Sequence, residues 1–360
     1  MILKYLLALI TLATSFILSP EFFLWSTIRS TTPVAEAQMS VGSQWSILTK
    51  VDPNLLAFLV KAVVVDSQTG AIGRNRDGFM SVGFQRYSSR FITYGILTKN
   101  VQLVDIGIKI IEYPLSFQKS EGSFEDYSPE SKGKSSASSV AFYLNDVGES
   151  LLLCKNSRWF QESNETSYLR TKIIKMNSSI STSLTWLMSQ ELELIKGDGN
   201  GRATNRLWKD ANAYYLTGRA LDRKDAVRLG EKFAIMSLQQ QNAEGAFLEQ
   251  YGFDSSYQGV SIQQAVLFYT NLSSQANQRP IVWDAIKRAV ALELKSILPS
   301  GEVNTKGNTR VNVGGETYFG AEKTVDYLAL VGGLSYYHQL IQDQSVKNTL
   351  DRVFIFYSKK

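Results

Sequence analysis

Apolar residues recur three and four positions apart along most of the chain, which is the spacing of an amphipathic α-helix. The segment 223–241 is typical, with apolar side chains at Ala226, Leu229, Phe233 and Met236. Glycine- and proline-containing breakers separate such segments, and strand patterns are scarce. The pattern predicts an all-α fold with helices over 48–64, 80–97, 100–116, 136–155, 168–195, 204–218, 223–241, 258–273, 281–297, 322–340 and 343–357.

From residue 80 onward the predicted helices pair into hairpins, and the linkers between the pairs resemble one another. Residues 121–127 read Glu-Gly-Ser-Phe-Glu-Asp-Tyr, and 244–251 read Glu-Gly-Ala-Phe-Leu-Glu-Gln-Tyr. A fainter copy spans 300–304, and the loop 196–201 occupies the same place in the cycle. A repeated hairpin cannot bury its apolar face alone, so neighbouring hairpins must stack.

Stacked αα-hairpins either extend as an open solenoid or close into a ring. Short turns alternate here with longer loops that are rich in glycine, aromatic and acidic residues, and a ring would collect all the long loops at one rim. We therefore expect the hairpins to close into an incomplete (α/α)5-6 toroid, with an open solenoid as the alternative.

The first residues have the features of a secretory leader. Lys4 precedes an apolar stretch over 5–18, which is short for a membrane-spanning helix of about 20 residues. Pro20 ends the stretch, and the small-x-small pattern at 35–37 suits a signal peptidase. We expect a signal peptide over 1–37 and a secreted or periplasmic protein; an uncleaved anchor is the alternative.

Composition is that of a globular protein, with 44% hydrophobic and 20% charged residues. The segment 38–79 is predicted as a leading helix and an irregular arm, and 80–360 as the toroid domain. The net charge of +5 is diffuse, without the basic run that follows a nucleic-acid backbone. We expect no nucleic-acid partner and no stable membrane span after leader cleavage.

Cysteine and histidine usage narrows the chemistry. Cys154 is the single cysteine and lies in an apolar stretch, which indicates a buried thiol and excludes an internal disulfide. His338 is the single histidine, which excludes a multi-histidine zinc site and argues against a Ser-His-Asp triad. We expect neither a metal nor a cofactor.

If the long loops share a rim, their polar residues converge there. Aromatic faces stack on sugar rings, Asn and Arg bind hydroxyl and carboxylate groups, and Asp, Glu or Tyr can transfer protons. For any one residue the alternative is a solvated loop, and Asp254 has the position of a helix N-cap. The loops carry Glu125, Asp126 and Tyr127; Asp198, Asn200, Arg202, Asn205, Arg206 and Trp208; Glu249, Tyr251, Asp254, Tyr257 and Gln258; and Asn304, Lys306, Asn308, Arg310, Asn312, Glu316 and Tyr318.

Three stretches, 201–208, 244–247 and 254–259, resemble the α/α-toroid polysaccharide lyases of the chondroitin/hyaluronate type and the broader six-hairpin glycosidase-like group. The resemblance implies β-elimination on a uronic-acid polymer. Asn205 and Arg206 match an Asn-Arg pair that opens a helix, and Tyr257 matches the family's tyrosine. The usual catalytic histidine before that tyrosine is absent, so Tyr257 would need a cation such as Arg206 to lower its pKa.

The first-choice function is therefore β-elimination of an acidic polysaccharide, with a polysaccharide or oligosaccharide as partner. Hydrolysis by paired carboxylates, a non-catalytic glycan-binding or polymer-export toroid, and a helical protein-binding scaffold are the alternatives. The candidate catalytic residues are Tyr257, Arg206, Asn205, Asp254 and Asp126. The candidate substrate-binding residues are Glu125, Tyr127, Arg202, Trp208, Glu249, Tyr251, Gln258, Asn312 and Tyr318.

Overall fold

The computed structural model describes residues 44–128, 133–197, 203–250 and 252–359. The predicted signal peptide, 1–37, lies outside these ranges, as do Arg202 and Tyr251. The all-α fold class is confirmed. The α-helices are α1 Gln44–Leu48, α2 Pro53–Lys61, α3 Ser88–Leu97, α4 Val101–Glu112, α5 Ala137–Asn156, α6 Arg158–Glu162, α7 Ser167–Ser189, α8 Glu191–Lys196, α9 Thr204–Ala220, α10 Lys224–Gln239, α11 Ser255–Asn271, α12 Arg279–Ser296, α13 Tyr327–Ile341 and α14 Gln344–Tyr357.

Helix starts differ most from the sequence prediction where a rim loop runs into a helix. Helix α3 begins at Ser88 rather than at 80, because 73–77 and 82–84 form separate 3-10 turns. Residues 322–326 precede α13, and a short antiparallel hairpin pairs β1 Thr317–Tyr318 with β2 Ala321–Glu322. Helix α11 begins earlier than predicted, because the Asp254 side chain caps it by accepting from the Tyr257 amide.

The helices form a ring of hairpins, as predicted. Helices α3, α5, α9, α11 and α13 pack one against the next, and each is covered by the following long outer helix. Helix α2 packs on α3, and α1 packs on α11 and α13, so the N-terminal helices join the last part of the ring to the first. The segment 44–61 is therefore part of the ring rather than a separate arm.

The inner helices are buried on almost every side, because each faces an outer helix, two neighbours and the ring centre. Glycines allow the closest approaches: a Cβ on Gly148 of α5 would lie 2.4 Å from the Thr217 nitrogen of α9. Large side chains that are fully buried, including Tyr143, Tyr214 and Phe268, fill the remaining space. This apolar packing supplies most of the stabilisation, at about 25 cal/mol per Å² of buried apolar surface.

One glycine turn recurs around the ring, each time in the linker that leads to the next inner helix. Gly70, Gly122, Gly245 and Gly301 have φ of 86°, 102°, 101° and 90°. A Cβ on each would come within 2.2 to 2.4 Å of backbone atoms of the next outer helix. Backbone bridges close the turns by pairing residue 65 with 72, 118 with 124, 241 with 247, and 297 with 303. The three similar linkers thus share one structure, and 65–72, predicted as an irregular arm, is a fourth copy.

Glutamine side chains fasten two of these turns in the same way. Gln85 accepts from the Ile72 amide (2.8 Å) and donates to the carbonyls of Gly70 (2.9 Å) and Ile110 (3.0 Å). Gln258 accepts from the Phe247 amide (2.9 Å) and donates to two carbonyls, one on the turn and one on α12. Because its amide is fully buried and occupied, the prediction that Gln258 binds substrate is wrong.

Backbone hydrogen bonds join the loops that follow these turns, so the loops meet at one rim. The Tyr127 amide donates to the Met80 carbonyl (2.7 Å), and the Thr309 amide donates to the Phe253 carbonyl (3.1 Å). This is the convergence on which the sequence analysis depended. Among the helices of the described residues, none combines the length and apolarity needed to cross a membrane.

The glycine turns lead to a first prediction. Gly245→Ala should lower the free energy of unfolding by about 3 kcal/mol, because the new Cβ is strained at positive φ and also collides with the Arg288 carbonyl. Chemical denaturation measures the change. Gly307→Ala is the matched control: its φ is +87° but no atom lies within 4 Å of the new Cβ, so only the strain of about 1 kcal/mol should remain. Equal losses would show that the turn does not need its close contact.

Candidate functional site

A cleft of about 770 Å³ opens at the rim, between the loops that precede the inner helices. At its deep end the cleft adjoins a smaller cavity of about 100 Å³ at the ring centre. Of the residues singled out in the sequence, the cleft is lined by Asp126, Asn205, Arg206, Tyr257, Arg310, Glu316 and Tyr318.

Asp126 lies in a wall built largely of serine hydroxyls. Its carboxylate accepts from the hydroxyls of Ser81 (2.7 Å) and Ser139 (3.0 Å), and from the Ser128 amide (2.9 Å). Only 3% of Asp126 is exposed, so the carboxylate is held in one orientation against the cleft. Ser81 and Ser139 were missed in the sequence because a hydroxyl in a serine-rich stretch carries no distinguishing pattern.

A buried ion pair organises the opposite loops. The Arg310 guanidinium lies 2.8 Å from Glu249 and 3.0 Å from Glu316. Glu249 is fully buried, and its second oxygen accepts from the Asn205 amide (2.8 Å) at the start of α9. Glu249 therefore joins the 303–316 loop to α9, and the prediction that it contacts substrate is wrong.

Asp254 has a comparable role. Its carboxylate caps α11 and also accepts from the amides of Arg310 (2.9 Å) and Val311 (2.7 Å). The side chain is fully buried with its oxygens occupied. The helix-cap interpretation is therefore correct, and the catalytic role predicted for Asp254 is wrong.

Tyr257 lies in the cleft between two cations. The Arg310 guanidinium is 4.0 Å from the centre of its ring, and Lys323 Nζ donates to its hydroxyl at 3.3 Å. Burial nevertheless raises the pKa of Tyr257 above its ordinary value, although the charge of Arg310 opposes that shift. The phenol thus stays protonated, so the condition for Tyr257 to act as a base, a pKa lowered by Arg206 or another cation, is not met.

The remaining predicted residues divide by position. Trp208 is fully buried and packs edge-on against Phe247 at 5.9 Å between ring centres, so it offers no face to a sugar and its predicted role is wrong. Glu125 and Tyr127 hydrogen-bond each other outside the cleft lining. Asn312 donates to the Asn308 carbonyl (2.6 Å), also outside it. These three therefore do not join the site.

Asn205, by contrast, lines the cleft and has an unpaired polar atom. The residue is 4% exposed, and its Oδ1 has no hydrogen-bond partner among the described residues. Because this acceptor is buried, leaving it unpaired costs free energy. The roles predicted for Asn205, Arg206 and Asp126 stay predictions, with all three at one cleft.

The floor of the cleft contains residues that sequence reasoning missed. Lys209 Nζ lies 4.3 Å and the Arg86 guanidinium carbon 5.0 Å from the centre of the Phe142 ring. Burial, with the charge of Arg86 next in effect, lowers the pKa of Lys209 to about 7, while Asp326 acts in the opposite direction. Lys209 stands one helical turn after Arg206, which was the only signal for it in the sequence.

The single cysteine, Cys154, and the single histidine, His338, lie outside the cleft lining. Burial raises the pKa of the Cys154 thiol, which supports its interpretation as an inert core residue. His338 Nδ1 lies 3.1 Å from the Asp343 carbonyl near the end of α13. Within the described ranges, no group of three or more His, Cys, Asp or Glu side chains is placed to hold a metal ion.

Comparisons with known proteins give matches by structure. No family model matches the sequence, and no curated protein matches it. The chain is similar to unsaturated glucuronyl hydrolase from Bacillus sp. GL1, responsible for the degradation of glycosaminoglycan, with 13% identity and a TM-score of 0.46 over 70% of this chain and 73% of that one. It is equally similar, with the same values, to a UGL variant with dGlcA-Glc-Rha-Glc.

The buried ion pair leads to a second prediction. Arg310→Met should lower the free energy of unfolding by about 3 to 5 kcal/mol, because it leaves the buried Glu249 carboxyl without its partner. Denaturant titration measures the loss. Adding Glu249→Gln to Arg310→Met should recover part of it, since a buried Gln side chain does not ionise and needs no cation beside it.

The exposed Lys347–Asp351 pair serves as the control for this measurement. Lys347→Met should change the free energy of unfolding by no more than about 0.5 kcal/mol, because surface ion pairs contribute little. A loss for Arg310→Met as small as this one would contradict the organising role of Arg310.

Proposed function

We propose that this protein is an exported, carbohydrate-active protein that binds an acidic oligosaccharide in the rim cleft and hydrolyses one of its glycosidic bonds. The observation that carries the proposal is the cleft lining, which the Asp126 carboxylate shares with Arg206, Lys323 and a set of serine hydroxyls. Export rests on the predicted leader over 1–37.

The lining supports a sugar ligand. The cleft volume of about 770 Å³ lies within the range of small-molecule sites, roughly 300 to 1,000 Å³. Tyr257, Tyr318 and Phe84 offer aromatic surface, and the serine hydroxyls offer groups that both donate and accept. Cations at the same cleft favour a sugar that carries negative charge.

Hydrolysis is supported over elimination by the state of Tyr257. Elimination at a uronic acid would use the tyrosine as a base, but burial raises the pKa of Tyr257 and keeps its phenol protonated. Hydrolysis uses carboxyl groups instead. Asp126 would either give a proton to the glycosidic oxygen as the general acid or take one from the attacking water as the general base.

Glu316 can supply the second, ionised carboxylate. Burial works against its ionisation, but hydrogen bonds from Arg310 and Lys323 outweigh burial and lower the pKa of Glu316. It lines the same cleft from the loop that carries β1. Two carboxyl groups in different surroundings can divide the acid and base roles between them.

The test is incubation with acidic oligosaccharides while reducing ends and the chromophore of an unsaturated product are both followed. We expect new reducing ends without the chromophore. Asp126→Asn should lower kcat by about 10²- to 10⁴-fold with little change in Kd, because it removes proton transfer and keeps the side-chain shape. Asp222→Asn, at an exposed carboxylate, is the matched control and should retain full activity.

The other outcomes discriminate between the alternatives. Appearance of the chromophore would mean elimination and would overturn the assignment of Asp126. Binding without turnover would support the non-catalytic glycan-binding alternative. The hydrogen bonds that the Asp126 carboxylate accepts from Ser81, Ser128 and Ser139 favour this alternative, because they occupy its oxygens. In that case Arg206→Gln should weaken binding.

A further inference from the structure

Two cations meet at the deepest part of the cleft. Lys209, on α9, and Arg86, just before α3, both lie over the Phe142 ring, which belongs to α5. Lys209, Arg86 and Phe142 line the rim cleft and the central cavity alike, together with Val260 and Asp326. They therefore form the floor at which the cleft narrows into the ring.

The charge on this floor is poorly compensated. Within the described ranges, no carboxylate lies within ion-pair distance of Lys209, and no side chain or carbonyl accepts a hydrogen bond from its ammonium group. Arg86 donates from Nε to the Gly83 carbonyl, so that hydrogen bond fixes the guanidinium without neutralising it.

The charges with the largest effect on Lys209 come from three elements, and Asp146 and Glu149 of α5 line the same central cavity. Arg86 and Arg206 repel it, whereas Asp326 and Asp210 attract it. Asp326 is also occupied as the N-cap of α13, where it accepts from the Ala329 amide at 3.0 Å. Two cations beside the same aromatic ring thus retain unsatisfied donors in partly buried surroundings, where an anion would be bound strongly.

We propose that this floor is an anion subsite, in which Lys209 and Arg86 bind the carboxylate or sulfate of an acidic sugar. The proposal rests on the proposed function, because it names the group by which the cleft would select its oligosaccharide. Phe142 and Val260 provide the apolar surface beside the anion, and they limit the access of water that would weaken the interaction.

Proton uptake follows from the same arrangement. With its pKa lowered to about 7, Lys209 is partly neutral near neutral pH in the free protein. A bound anion stabilises the ammonium form, so binding is accompanied by uptake of a proton. Affinity is then highest below pH 7 and falls as the pH rises above it, by up to about tenfold per pH unit.

The experiment measures Kd for methyl β-glucuronide, glucose 6-sulfate and methyl β-glucoside by calorimetry at about pH 6 and about pH 8. We expect the folded protein to prefer the anionic sugars by at least about tenfold at the lower pH and less at the higher. The two anionic ligands distinguish a carboxylate from a sulfate subsite. Lys347 lies on α14 and lines neither cavity, so Lys347→Met is the control for loss of a lysine.

Two substitutions at one position separate charge from structure. Lys209→Met should lose most of the preference for anionic sugars at about pH 6, because only Arg86 then remains at the floor, with the affinity for the neutral sugar unchanged. Lys209→Arg keeps the charge at all these pH values, so it should keep the preference and lose the pH dependence. An undiminished preference in Lys209→Met, or an undiminished pH dependence in Lys209→Arg, would overturn the subsite.

Failure of the subsite and failure of the carbohydrate proposal give different results. If charged and neutral sugars bind equally and Lys209→Met has no effect, the subsite is wrong while the carbohydrate proposal stands. If no sugar binds, the Lys209 side-chain resonance, assigned by its loss in Lys209→Met, can be titrated with acetate or sulfate alone. A raised Lys209 pKa would then support the anion subsite on its own, and an unchanged pKa would overturn it.

Discussion

The close contact between a glycine turn and an outer helix is the constraint on which the rest of the molecule depends. At Gly122, Gly245 and Gly301 the backbone is in a conformation that disfavours side chains, and the helix carbonyl leaves no space for one. The turn therefore fixes where each linker lies against the outer helix, and the chain then continues to the next inner helix. Repetition of this step brings loops that are distant in sequence to one rim.

Several charged side chains at the rim hold its loops in place and do not face the cleft. Glu249 and Asp254 are fully buried, and between them they hold the start of α9, the start of α11 and the loop that carries Arg310. A buried ion pair contributes little net stability, but it fixes geometry, because breaking it leaves an uncompensated charge. Its geometry here places Arg310 against Tyr257, which is at the cleft surface.

The surface that remains for a ligand is electrostatically divided. Asp126 stands among serine hydroxyls, whereas the floor beneath it carries Lys209 and Arg86. An acidic sugar would therefore be oriented with its charged group inward and a glycosidic oxygen nearer the wall. Burial strengthens such charge-based orientation, since the effective dielectric constant is lower than in bulk water.

The sequence alone determined the helices, their pairing and the likeness of the linkers, because these follow from local spacing along the chain. It also brought Asp126, Arg206 and Tyr257 into one hypothesis, and the structure places them at one cleft. Only the tertiary structure decided that Trp208 belongs to the core and that Lys209 lies at the floor of the cleft. Burial and charge compensation depend on distances between segments far apart in sequence, which no local pattern specifies.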